Sequence, residues 1–262
     1  MSFDFQKIYT FIKTRHKVSG GYGATPLLPA TVEDTYHAVE TLILLKKFFP
    51  GLESNTFLTK EDIQFLKTKW EEGELGLKSG YQVLSLLFHA RVRPSREVVQ
   101  RWLLGRLAHL HRLEAFYFFG KIHQEFGLGR VFFQEAKLPD LTPEPAIKEV
   151  YFRLYLQKEI FKRFPKGEKE RWSSWLKACQ NGDGGFGFKP GTTSFIENTH
   201  YALRSLNLLK IRPRYPEAVQ NFLSACQKPE GGFSRRPGAA PFLDATWHAV
   251  SALCLLRNFQ GS

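Results

Sequence analysis

The 262-residue sequence predicts an all-α protein built from repeated helix pairs. Three segments share one pattern: SGGYGATPLLPATVEDTYHAVETLILL, DGGFGFKPGTTSFIENTHYALRSLNLL and EGGFSRRPGAAPFLDATWHAVSALCLL. In each, the second glycine (Gly21, Gly185, Gly232) lies fourteen residues before a threonine (Thr35, Thr199, Thr246). The same spacing found three times indicates an internal repeat. We find helical patterns between the repeats and no strand of note.

A first helix precedes each glycine pair. WLKACQNGDGGF, from Trp175, and FLSACQKPEGGF, from Phe222, share an aromatic-Leu pair, a Gln and Gly-Gly-Phe at equal spacing. FIKTRHKVSGGY keeps this frame with His16 at the Gln position, and FLKTKWEEGELG keeps only its start. Paired glycines supply the positive φ that ends a helix, and the Gln is placed to bond backbone groups near the turn.

Polar residues mark the start of each second helix. We expect Asp34, Asn198 and Asp244, or the threonine that follows each, to cap these helices, because such side chains accept hydrogen bonds from free N–H groups. Each unit is therefore a helix, a glycine turn, a loop and a second helix. The second helices are apolar around most of their circumference, which is typical of helices packed on both sides.

The repeats indicate a single domain over residues 1–262. Clear repeats cover 5–48, 172–210 and 219–258, and degenerate repeats cover 60–165. The last two glycine pairs lie 47 residues apart, so the chain has room for about five to six helix hairpins. Stacked helix pairs of this kind contact mainly their neighbours.

Composition narrows the kind of partner. The formal net charge of +12 favours anionic ligands, yet the basic residues are scattered and form no nucleic-acid-binding module. No apolar run is long enough for a transmembrane helix, and the N-terminus lacks a signal-peptide pattern. Three cysteines without a CxxC exclude a disulfide framework and a cysteine-rich zinc module. We therefore expect a cytoplasmic protein, with Cys179 and Cys226 as small core residues.

The repeat resembles that of the protein prenyltransferase β subunits and the squalene and oxidosqualene cyclases. The resemblance is strong over residues 1–45 and 170–260, and rests on the aromatic-Leu, Gln, Gly-Gly-Phe unit followed by DTYHAV-like helix starts. It implies an α/α toroid, in which an inner ring of helices lies inside an outer ring around an apolar cavity. The 24 Phe and 9 Tyr would supply the aromatic lining of that cavity.

The last repeat is most similar to the β subunits of geranylgeranyl and farnesyl transferases. Gly231, Gly232, Phe233, Arg236 and Asp244 match, which makes Asp244 equivalent to a zinc ligand and a candidate catalytic residue. Thr246 stands where the family has its cysteine ligand. The family's third ligand, a histidine about one repeat further on, would fall beyond Ser262. The zinc set is therefore incomplete, with Asp244 and His248 as its remaining candidates. The sequence therefore leaves open whether zinc or another cofactor is bound.

Further candidates lie near the starts of the second helices. His37, His200 and His248, with Asp34 or Asp244, are placed to bind a metal or an anion, or to act as hydrogen-bonded substitutes for the family's tyrosines. Arg204, Arg235 and Arg236 are candidates for holding a diphosphate. The candidate cavity walls are aromatic: Tyr36, Tyr81, Phe116, Tyr117, Tyr151, Tyr155, Tyr201 and Trp247.

Two functions follow from this resemblance. The first is a toroid that binds an isoprenoid or another hydrophobic ligand, with a prenyl diphosphate as partner molecule, and acts as a prenyltransferase-like or cyclase-like enzyme or as a subunit of one. The second is a non-catalytic lipid-binding or protein-interaction scaffold. The cyclase motif Asp-x-Asp-Asp and the terpene-enzyme motif Asp-Asp-x-x-Asp do not occur. Their absence favours the second.

Overall fold

The structure is a computed structural model that describes residues 3–47, 57–128 and 138–260. The ends of the expected domain, the last residue of the 5–48 repeat and part of the degenerate region lie outside these residues. The helices are α1 (Phe5–Lys13), α2 (Val32–Leu45), α3 (Lys60–Glu71), α4 (Leu77–His89), α5 (Arg96–Leu104), α6 (Leu113–Glu125), α7 (Ile147–Tyr155), α8 (Glu168–Ala178), α9 (Ile196–Leu209), α10 (Pro216–Cys226) and α11 (Leu243–Gln260). A π-helical turn, Leu156–Ile160, extends α7.

Six of these helices form a closed inner ring. In ring order they are α2, α4, α6, α7, α9 and α11, and each packs against the next. The ring closes because α11 packs against α2 as extensively as against α9. In the described part of the chain, α1, α3, α5, α8 and α10 form the outer layer, each preceding an inner helix. The predicted α/α toroid of five to six hairpins is confirmed.

A buried threonine fixes each glycine corner to its inner helix. The hydroxyl oxygens of Thr35, Thr199 and Thr246 accept hydrogen bonds from the backbone N–H of the aromatic residue after the glycine pair, at 2.9, 3.0 and 3.0 Å. Each hydroxyl in turn donates to the carbonyl four residues before it. This bridge spans thirteen residues in each repeat, and because the aromatic residue follows the second glycine directly, it accounts for the fourteen-residue spacing from glycine to threonine.

The first glycine of each corner seats the corner on another outer helix. A Cβ at Gly20 or Gly184 would overlap the backbone of Glu61 in α3 or of Ala218 in α10. Gly231, in the last corner, meets the carbonyl of Lys7 in α1 in the same way. The last repeat thus packs on the first as a repeat packs on its successor, and this contact closes the ring.

The residue at the Gln position ties each corner to the same outer helix. Gln180 donates to the Gly184 and Tyr215 carbonyls and accepts from the Tyr215 N–H. Gln227 donates to the carbonyl of Asp4, at the start of α1. His16 instead bonds the fully buried Asp62 at 2.8 Å. The expected bond to backbone near the turn is formed by Gln180, whereas Gln227 bonds the backbone at the start of α1 and His16 bonds a carboxylate.

The helix starts differ from the expectation. Asp34 and Asn198 are the third residues of α2 and α9, and Asp244 is the second residue of α11, so the prediction that they are caps was wrong. Thr31 caps α2 and accepts from the Asp34 N–H. The corner loops pair before each helix begins, and this pairing moves the start towards the N-terminus. In the last corner it forms two short antiparallel strands, β1 (Phe233–Ser234) and β2 (Pro241–Phe242).

Two further expectations can be compared with the described residues. None of the helices there is long and apolar enough to cross a membrane. Cys179 and Cys226 are fully buried core residues, and burial raises the pKa of both thiols to about 12. Their reading as inert core residues agrees with this environment.

We predict that Gly231→Ala destabilises the protein by about 2 kcal/mol or more, because the new Cβ would strike α1 in addition to straining a φ of +106°. Urea unfolding measures the loss. Gly238→Ala is the matched control: its φ is +85°, but a Cβ there meets no atom within 4 Å, so we expect about 1 kcal/mol. Equal losses in both variants would contradict a ring closed through this contact.

Candidate functional site

The inner ring encloses a cavity of about 740 Å³. All six inner helices contribute to its lining: α7 contributes Lys148 alone, and each of the other five contributes residues spaced by about one helical turn. Residues four apart lie on the same helix face. The lining is therefore arranged in layers, which we count from the N-terminal end of the inner helices.

The first layer is a ring of charges that we call the rim. It consists of the second residue of each inner helix: Glu33, Lys78, Glu114, Lys148, Glu197 and Asp244. Lys78 pairs with Glu33 at 2.6 Å, and Lys148 lies between Glu114 and Glu197, at 3.2 and 3.8 Å. The rim is thus held together largely by ion pairs between neighbouring helices.

The second layer is an aromatic girdle at the fifth and sixth residues of the inner helices. Its rings are in contact all the way round: Tyr36, Tyr81, Phe118, Tyr117, Phe152, Tyr201, His200, His248 and Trp247, which returns to Tyr36. Five of the predicted wall residues line the cavity: Tyr36, Tyr81, Tyr117, Tyr201 and Trp247. Phe116, Tyr151 and Tyr155 are buried, but they do not belong to the lining.

Three histidines in the girdle are held without charge. His200 and His248, on neighbouring helices, bring their Nδ1 atoms to 2.7 Å, so that one ring donates to the other. Burial lowers the pKa of both well below the usual value for histidine. Burial also lowers the pKa of His37 to about 4, and its Nδ1 has no hydrogen-bond partner in the described residues. The predicted histidines therefore meet as neutral rings.

The third layer contains two cations, Arg204 and Lys121, and Lys121 is paired with Glu125 at 3.2 Å. Arg204 is the unpaired one among the described residues. It is the ninth residue of α9, lines the cavity, and places its guanidinium 4.9 Å from the ring centre of Tyr151. Arginine keeps its proton in proteins even where it is desolvated, so this guanidinium faces the cavity as a cation. Within the described residues it forms no hydrogen bond and no ion pair.

Asp244 lies on the rim, and its carboxylate is already engaged. One oxygen accepts from Arg235 at 2.9 Å and the other from the N–H of Ala245. Thr246, at the position of the family's cysteine ligand, is fully buried and bonded within the corner. Among the described residues, no group of three or more His, Cys, Asp or Glu is arranged to hold a metal. The donors do not fit a family-type zinc set, and Asp244 with His248 stays a prediction.

Sequence reasoning placed Arg236 in the ligand site and overlooked several residues of the cavity lining. The exposed side chain of Arg236 lies in the turn between β1 and β2, outside the cavity lining. Sequence reasoning missed the rim and the charged residues of the deeper layers, Glu40, Lys121 and Glu125. A signal for the rim was present, since every inner helix starts with Val, Leu or Ile followed by a charged residue.

We predict that the protein loses stability as the pH falls from about 6.5 towards 4. The unfolded chain protonates its histidines near pH 6.5, whereas the folded pKa of His37, His200 and His248 lies lower. Their contribution is therefore complete above pH 6.5, and each loses up to about 1.4 kcal/mol per pH unit below it. Urea midpoints measured across this range test the slope.

His37→Phe should reduce this acid sensitivity, because it removes a buried titrating ring whose Nδ1 has no partner in the described residues. His89→Gln is the control, and it should change the acid sensitivity in the opposite direction, making the loss of stability in acid greater. The hydrogen bond to Glu40 raises the pKa of His89, so this residue stabilises the folded state in acid and loses that effect as the pH rises. A steeper acid loss in His37→Phe than in the unmodified protein would contradict the assignment.

Comparison with known proteins adds family information. A family model described as the prenyltransferase alpha-alpha toroid domain matches residues 1–80, 150–213 and 198–261, which together are well over half of the chain. No curated protein matches the sequence.

Two solved structures are similar to this chain. One is Candida albicans protein geranylgeranyltransferase-I complexed with GGPP, which is 13% identical in sequence. The match covers 99% of this chain and 93% of that protein, with a TM-score of 0.40. A polysaccharide lyase is 11% identical, covers 95% of this chain and 79% of its own, and has a TM-score of 0.34.

Proposed function

The chain belongs to the prenyltransferase alpha-alpha toroid domain family, and we propose that it binds a prenyl diphosphate, or a similar ligand with an anionic head and an apolar body, in its central cavity. The observation that carries this proposal is Arg204, a charged guanidinium facing the cavity without an anion of the described chain beside it. The role of each layer follows from this assignment.

Arg204 supports the anionic head. An uncompensated buried charge is costly to a folded protein, whereas a diphosphate would supply two or more oxygens to the planar guanidinium through charge-assisted hydrogen bonds. His200 and His248 in the neighbouring girdle are neutral. Lys121, the other cation in the layer of Arg204, is paired with Glu125 at 3.2 Å, so the head would be held chiefly by Arg204.

The girdle supports the apolar body. Its ring faces line the middle of a cavity whose volume of about 740 Å³ lies within the range of small-molecule sites. On α9, the rim residue Glu197 and Arg204 are seven residues apart, which corresponds to roughly 10 Å along the helix axis. A ligand with its head at Arg204 would therefore place its body among the aromatic rings.

The residues of the site favour ligand binding without a zinc-dependent reaction. Thr246 serves the corner and Asp244 is bonded to Arg235, so no step is assigned to a zinc-bound thiolate. Asp244 as a catalytic residue stays a prediction, as do a transferase reaction, a partner subunit and a cytoplasmic location. The non-catalytic lipid-binding function is preferred for this reason, and an assay for released diphosphate distinguishes it from catalytic turnover.

Arg204→Met tests the proposal through two effects of opposite sign. We expect the free variant to be more stable than the unmodified protein by up to about 1 kcal/mol, because an unpaired, half-buried charge is replaced by an apolar side chain of similar length. The same variant should lose the rise in melting temperature that farnesyl diphosphate gives the unmodified protein, since ligand binding stabilises by mass action. Differential scanning calorimetry measures both.

Farnesol, which lacks the anion, and inorganic diphosphate, which lacks the chain, are the matched ligands, and both should stabilise the unmodified protein less than farnesyl diphosphate. Arg204→Lys keeps the charge and should retain part of the binding. Equal stabilisation of Arg204→Met and the unmodified protein by farnesyl diphosphate would overturn the role of Arg204. No stabilisation of either would overturn the proposed ligand.

A further inference from the structure

A second cavity, of about 670 Å³, opens beside the rim between α4 and α6. Its walls are the segment 73–79, at the start of α4, and residues 105–106, 109, 111–112, 114–115 and 118. We call this cavity the side groove. It shares Lys78, Glu114 and Phe118 with the central cavity, so the two spaces meet at the rim and at the girdle.

The side groove exists because this part of the repeat is degenerate. The three glycine corners place 16 to 18 residues between an outer and an inner helix, whereas 72–76 is the whole connection from α3 to α4. No long corner loop therefore covers the start of α4. Arg106 bridges the two walls by donating to the carbonyls of Gly73 and Leu75, and it stacks on Trp102 at 3.8 Å.

The rim is broken at the same place. Lys78 turns away from α6 to pair with Glu33, and Glu114 turns away from α4 to pair with Lys148. Lys78 and Glu114 are neighbours in ring order and opposite in charge, yet no ion pair joins them. We call this break the gap in the rim, and the side groove and the central cavity share Lys78 and Glu114 at its two sides.

The walls of the side groove are rich in basic side chains. Arg112, His109 and His111 are exposed, and none of the three side chains forms a hydrogen bond or an ion pair with a described residue. The carboxylates there are Glu74 and Glu114, and Glu114 is paired with Lys148. Free cationic and imidazole groups that converge on a concave surface match an oxyanion in charge and in hydrogen-bonding capacity.

We infer that the side groove is a second ligand site, which holds the carboxylate or phosphate group of a molecule that meets the central ligand through the gap in the rim. The meeting of two ligands rests on the proposed function, but the anion site does not. Arg112 and His111 would contact the anion, and Arg106 would position the walls. The lining of the groove gives no metal or covalent step.

The test uses Arg204→Met protein, so that the central guanidinium does not contribute to anion binding. Inorganic phosphate and citrate are titrated separately by isothermal calorimetry, and they distinguish a phosphate site from a carboxylate site. We expect one of them to bind with a 1:1 stoichiometry. Adding Arg112→Glu should weaken that binding at least tenfold, and adding His111→Glu should weaken it several-fold.

Lys67→Glu is the matched control, because Lys67 is an exposed residue of α3 outside the groove lining and the charge change is identical. It should leave the affinity within twofold. Absence of binding by both anions, or equal weakening by Lys67→Glu and Arg112→Glu, would overturn the site. Either result leaves farnesyl diphosphate binding by the unmodified protein unaffected, so failure here is separate from failure of the proposed function.

Discussion

The seating of each glycine corner on an outer helix is the contact on which the rest of the structure depends. Gly231 lies against the carbonyl of Lys7, at the opposite end of the chain, in the same way that Gly184 lies against Ala218 of the following repeat. Only a residue without a Cβ permits this approach. Because the last corner uses the first helix as its seat, a linear array of repeats becomes a closed ring with an interior.

Because the ring is closed, residues at equivalent positions of the inner helices lie in the same layer around one central space. Their second residues form the rim, their fifth and sixth residues form the girdle, and the ninth residue of α9 is Arg204. The rim balances most of its charges internally, whereas Arg204 has no balancing group among the described residues. A protein that retains an unpaired charge facing its central cavity is suited to an anionic ligand.

The degenerate repeats leave one side of the rim without a corner loop, whereas the regular repeats hold their corner loops in fixed hydrogen bonds. Regular corners cover their part of the rim and fix it through Thr35, Thr199 and Thr246. Between α4 and α6 the connection is short, and the side groove takes the place of a corner loop. The loss of the repeat signature in the sequence thus coincides with the region where the central cavity gains a lateral opening.

The sequence by itself determined the repeat and the corner, because these depend on local spacing: a glycine pair, a threonine fourteen residues later and a helix on either side. The toroid followed from the resemblance of this repeat to that of a known family. It misplaced the caps by two or three residues, since pairing of the corner loops starts each helix earlier. Only the tertiary structure decided which side chains share the interior.

The contact between His200 and His248 joins residues 48 positions apart on neighbouring helices. Arg204 faces the cavity while Arg236 lies on an exposed turn. One residue of offset turns a helical side chain by about 100°, so these directions are fixed by ring closure and not by sequence spacing.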